Sequence, residues 1–136
     1  MKIHLNDVHA KAKGFTLIEI SLVIGLLLGL ATFAGMNMYA VRKWQKGKDA
    51  AVSLQGVLAA QKAYLSDHPT ASMASVNVVQ LNAYLPQGWA GMPVIEGLDD
   101  ELLTIDHNVM PPVFMLSGSI YDPSGSSSDG LWDTGY

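Results

Sequence analysis

Glu19 is the residue whose type fits its surroundings least. It sits between Ile18 and Ile20, at the head of residues 20–41, a stretch with no charged side chain. A carboxylate there costs a few kcal/mol unless it lies at headgroup level or meets a partner. The chemistry open to it is pairing with a cation. A second acidic set, Asp122, Asp129 and Asp133, falls in the Gly/Ser-rich segment 121–133. Calcium takes roughly six to eight oxygens from carboxylates, carbonyls and water, on a backbone that bends around it. The three carboxylates are candidate calcium ligands; the competing expectation is a flexible polar tail. His68 and His107 stand alone in the sequence, and no HExxH, phosphate-loop or nucleophile-elbow pattern occurs. No enzymatic activity is expected.

The element that must position Glu19 is a helix of membrane length. Residues 20–41 span 22 positions, roughly 33 Å as a helix, which matches a ~30 Å hydrocarbon core. A secretory signal has a shorter apolar stretch and ends at small residues. Here the stretch ends in Tyr39-Ala40-Val41-Arg42-Lys43, so it is expected to stay in the mature chain. Lys2, Lys11 and Lys13 flank one side, and Arg42, Lys43, Lys46 and Lys48 the other. The positive-inside rule therefore gives no clear orientation. Ser21, Gly25 and Gly29 form a small-xxx-small row suited to close helix packing.

Composition agrees with a small anchored domain. Of 136 residues, 49% are hydrophobic and 15% charged, with a net charge of −4 and no cysteine. Disulfide, zinc-cysteine and iron–sulfur chemistry are excluded. The acidic balance argues against nucleic acid as a partner. All basic residues lie at or before Lys62, and nine acids follow it.

Helical spacing continues beyond the apolar run. Val41, Trp44, Ala51, Leu54, Leu58 and Leu65 recur on one side, with Val57 and Tyr64 beside them. One helix is expected from Phe15 to Asp67, ended by Pro69, with Gly47 and Gly56 as candidate bending points and Gly25, Gly29 and Gly35 as the weak points of its membrane half. Asn77 and Gln80 have capping-box spacing. They predict a short helix with Val78, Leu81 and Leu85 inside and Pro86 as its stop. Strands are expected at 93–96, 102–106 and 113–116, with turns at 97–100 and 107–108. The segment from Pro69 is too short for a comfortable core of its own. The helix face from Ala51 to Leu65 is its expected missing wall.

Lys11-Ala12-Lys13-Gly14-Phe15-Thr16-Leu17-Ile18-Glu19 resembles the type IV prepilin signal of type IV pilins and type II secretion pseudopilins. The resemblance covers residues 11–41. It implies that residues 1–14 are a cytoplasmic leader, cut by prepilin peptidase between Gly14 and Phe15, and that Phe15 is then N-methylated. It implies that Glu19 neutralises the Phe15 amine of an adjacent subunit. Such a charge sets axial register, because misregistered packing leaves it unpaired. The implied fold is α+β and pilin-like. Residues 15–41 would span the membrane or line a filament core, 42–68 would be an extracytoplasmic half-helix, and 69–136 a small β-rich domain. The implied location is the inner membrane, then a pilus or pseudopilus. The implied partners are the peptidase, other copies and related pilins, an inner-membrane assembly platform and membrane lipid. The chain departs from many members in having no proline in the membrane half and no C-terminal disulfide. The basic band Arg42, Lys43, Lys46 and Lys48 would meet lipid headgroups or a neighbour's Asp99, Asp100 and Glu101. Two alternatives stay open: a single-pass anchored binding protein that does not polymerise, and an enzyme with an unfamiliar site.

Overall fold

The computed structural model describes residues 14–135; the basic part of the expected leader, with Lys2, Lys11 and Lys13, lies outside the described residues. The fold is α+β. A long helix, α1 (Leu17–Asp67), is followed by a 3-10 turn (Met73–Ser75), α2 (Val78–Asn82) and strands β1 (Ile95–Glu96), β2 (Leu102–Asp106), β3 (Val113–Leu116) and β4 (Ser119–Ile120). The chain divides into one unit ending at Met38 and another starting at Tyr39.

In the first unit every described residue is exposed. α1 carries a stretch long and apolar enough to cross a membrane, with none of it buried. So large an uncovered apolar surface needs lipid or other protein around it.

In the second unit α1 becomes the wall of a core. Ala50, Leu54, Val57, Ala60 and Tyr64 recur at helical spacing and pack with Leu81, Leu103, Ile105 and Phe114. The buried stripe starts at Gly47, whereas Val41 and Trp44, expected on it, are exposed. It mixes the small Gly47, Ala50, Ala51 and Ala60 with the larger Leu54, Val57, Leu58 and Tyr64. Gln61 is fully buried within this stripe, and its Nε2 donates to the carbonyls of His107 and Val109 at 2.8 Å each. That satisfies two loop carbonyls that would otherwise each cost about 1–3 kcal/mol.

The sheet is an antiparallel meander in the order β1-β2-β3-β4. Thr104 pairs with Met115, which pairs with Ile120. Leu103, Ile105 and Phe114 point inward, by strand alternation. β4 was not expected from sequence. It follows β3 through Ser117 and Gly118, both at positive φ, the geometry a tight hairpin needs. α2 carries the expected capping box: Asn77 Oδ1 accepts from Val79 N at 3.0 Å, and Gln80 Oε1 accepts from Asn77 N at 2.9 Å.

α1 runs unbroken through Gly47 and Gly56. Both lie inside α1 as seats for tryptophans. A Cβ on Gly47 would stand 2.9 Å from the Trp132 Nε1, and one on Gly56 would stand 2.8 Å from the Trp89 ring. Trp132 is 4% exposed, sits at φ 66° and donates its backbone N–H to the Gly47 carbonyl at 3.1 Å. A bulky residue at positive φ is held there by its surroundings. Here the ring is wedged against Phe114 and Tyr121, with centroids 6.3 and 5.2 Å away.

Candidate functional site

The start of α1 is built by Gly14, Phe15, Thr16 and Glu19. Gly14, Phe15 and Thr16 precede the helix in non-helical backbone, and all are exposed. Phe15 is 84% exposed. Glu19 Oε2 accepts from Thr16 N at 2.7 Å and from Thr16 Oγ1 at 2.9 Å. Thr16 Oγ1 in turn accepts from Glu19 N at 3.3 Å. This reciprocal pair is a capping box, and it satisfies donors that the first turn leaves open. The T-x-x-E spacing of Thr16 and Glu19 is the sequence signal of this cap. Both bonds to the carboxylate end on Oε2. Oε1 accepts no hydrogen bond among the described residues. Gly14 and Phe15, just before this cap, are both exposed.

The small-residue row lies on the same uncovered surface. Ser21 Oγ donates back to the Ile18 carbonyl at 2.9 Å, which hides its polarity. Gly25 and Gly29 have nothing within 4 Å of an added Cβ. These positions have room for another helix to approach closely.

The basic band is partly engaged within the chain. Lys46 Nζ donates to Asp100 Oδ1 at 2.9 Å and to the Gly97 carbonyl at 3.0 Å. Asp99 N donates to Glu101 Oε2 at 2.8 Å. Hence Asp100, an acid expected to face a neighbour, is bound to the chain's own lysine. The hydrogen bond to Lys46 holds the Asp100 carboxyl below its ordinary range, and that to Asp100 holds the Lys46 ammonium above its own. The stabilisation from Asp100 is present above the usual carboxylate pKa and is lost as pH falls through the depressed one. That from Lys46 is lost only as pH rises through its raised one. Both groups are solvent-accessible, so salt screens the pair. Tyr121 closes the same turn, accepting from Leu98 N at 2.8 Å. Burial first, then the neighbouring Glu101, pushes its phenol up to about 12.

Asp122, Asp129 and Asp133, the candidate calcium ligands, accept hydrogen bonds from their own segment. Asp122 Oδ1 accepts from Ser124 N and Ser124 Oγ, Asp129 Oδ1 from Leu131 N, and Asp133 Oδ1 from Gly130 N and Gly135 N. Each accepts from a backbone N–H within three residues, the usual local use of Asp in loops; Asp129 also neighbours Ser124 and Asp133, and Asp133 Oδ2 is buried without a hydrogen-bond partner among the described residues. Among the described residues no three His, Cys, Asp or Glu side chains converge on a cation position. Nor is this segment a loose tail. Trp132 and Thr134 are buried, and the Thr134 carbonyl accepts from Gln55 Nε2 at 3.3 Å. The two histidines remain apart, His68 against the Tyr64 carbonyl and His107 against that of Val76.

Set against protein-family models, curated proteins and solved structures, the chain matches none.

Proposed function

We propose that the chain is a filament subunit of the type IV pilin and type II secretion pseudopilin kind. Prepilin peptidase cuts between Gly14 and Phe15, and Phe15 is N-methylated. Before assembly the subunit is held by α1 in the inner membrane, with the second unit outside. In the filament it packs against other copies through the uncovered half of α1. Glu19 there exchanges Thr16 for the Phe15 amine of a neighbour. An assembly platform in the membrane drives that transfer. The observation that carries this reading is the Gly14-Phe15-Thr16-Leu17-Ile18-Glu19 run, set in exposed backbone at the head of an uncovered apolar helix. A soluble enzyme has no use for such a helix, and a plain anchor would use Glu19 only as the cap on Thr16.

Mass spectrometry of the protein from a host with prepilin peptidase tests this. The mature chain should begin at N-methyl-Phe15, and Gly14→Leu should leave it uncut. A chain that keeps Met1, or is cut after Ala40, removes the proposal. A correctly cut chain that never polymerises favours the anchored binding protein instead.

A further inference from the structure

One concave surface of the second unit has no part in that reading. A groove of about 290 Å³ lies between Lys43 and Trp44 of α1 and the loops that carry Leu98, Leu131 and Trp132. It joins apolar walls to one cation. No carboxylate lines it, and the Ser124 hydroxyl at its edge is already turned to Asp122 Oδ1 at 2.7 Å. Trp44 is 55% exposed although it borders a packed core.

The charge beside the groove is free to meet an anion. Lys46 is bound to Asp100, but Lys43 makes no ion pair among the described residues; its ammonium lies over the Tyr39 ring at 4.5 Å. Arg42 adjoins it in sequence. Lys43 and Trp44 follow Val41, the last residue of the charge-free run, by two and three positions, about 3 and 4.5 Å of helix rise. In an anchored chain this is headgroup depth, where Trp, Tyr, Lys and Arg concentrate. Anionic lipids there attract basic side chains.

We propose that this groove binds the headgroup of an anionic phospholipid. The phosphate sits on Lys43, and the upper acyl chain lies against Trp44 and Leu131. The inference rests on the membrane-anchored stage of the proposed function and goes beyond it. It names a lipid class and a site where that stage needs only a bilayer.

The full chain in nanodiscs tests it, with phosphatidylcholine alone or mixed with phosphatidylglycerol. Lipid retained after transfer to detergent is counted by native mass spectrometry. Phosphatidylglycerol should be retained over phosphatidylcholine by about fivefold, the weight of one cation near an anionic surface. Lys43→Gln should abolish the preference, and Trp44→Ala should weaken retention of both lipids. Arg42→Gln removes the same charge at the same depth from a residue that does not line the groove and should leave the preference intact. Equal loss in Lys43→Gln and Arg42→Gln would mean diffuse attraction and overturn the site. Displacement of the lipid by inorganic phosphate would reassign it to free anions, and a dimer formed through Trp44 would reassign it to a second copy. A chain that enters neither nanodisc would remove the membrane stage itself, whereas insertion without lipid preference removes only the groove.

Discussion

Glu19→Ala should abolish filaments and leave the chain in the membrane. Removing the carboxylate relieves insertion of an acid worth a few kcal/mol at such a position. It also removes the cap on α1, in which Glu19 Oε2 holds Thr16 N at 2.7 Å. Loss of a cap costs about 1 kcal/mol and frays one turn, too little to release a helix of this length. The loss in assembly is larger, because each subunit would then bury an uncompensated Phe15 ammonium. Breaking a buried pair by removing one partner costs about 3–5 kcal/mol, which lowers subunit association by at least about a hundredfold. Glu19→Gln separates the two roles. An amide oxygen still accepts from Thr16 but carries no charge, so the helix start should survive while assembly fails. Filament yield by pelleting and electron microscopy, with alkaline extraction as the insertion control, reads both. Wild-type filament yield from Glu19→Ala would show that the residue only caps the helix.

The second large effect lies at Gly47. Trp132→Ala removes a buried indole from a small core, a change that typically costs about 3–5 kcal/mol. Alanine keeps a Cβ, so the positive φ at this position stays as costly as before. For a domain of this size each kcal/mol moves the melting temperature by about 4–8 °C, so a fall of roughly 12–40 °C is expected by circular dichroism in detergent. Gly47→Ala should also destabilise the wild-type chain, because its Cβ would stand 2.9 Å from Trp132 Nε1. In the Trp132→Ala background the same change should become stabilising, by up to the ~1 kcal/mol that Ala gains over Gly inside a helix. That reversal of sign is specific to a seat. If Gly47→Ala has the same effect in both backgrounds, Gly47 is merely a weak helical residue and the wedge is not what holds the loop.

What was legible in the sequence follows from the range of the forces involved. α1 was readable because hydrophobic spacing and the absence of proline act locally, and the box at Asn77 and Gln80 was readable for the same reason. The strands at 102–106 and 113–116 were found with their bounds, since turn residues mark both ends. β4 was passed over although Ser117-Gly118 is a turn dipeptide, because two residues make no visible alternation. Gly47 and Gly56 were taken for weak points: propensity counts the residue itself, while its use depends on a tryptophan far along the chain. The acids of 121–133 carry a composition that suits calcium, loose loops and Asp-closed turns equally. Only the local hydrogen bonds distinguish them. At the head of α1, Gly14, Phe15 and Glu19 stand out in the sequence by their pattern, whereas the part of Thr16 in the cap shows in the hydrogen bonds.

The wedge of Trp132 on α1 also orders events in time. Gly47 and Trp132 are joined backbone to backbone yet lie about 85 residues apart, so their contact closes a long loop whose entropy must be lost before it gains anything. The helix and the meander draw on near neighbours and can form first. The segment 121–135 is then the latch that shuts last, and until it shuts the unit presents an open seam along the helix. Pulsed hydrogen exchange during refolding should show amide protection at Trp132 arriving after that of β2 and β3; simultaneous protection would show that closure is part of the nucleus. A subunit exported as an extended chain would thus carry its own completion mark, with a filled Gly47 seat distinguishing a finished subunit from one still exposed to proteases.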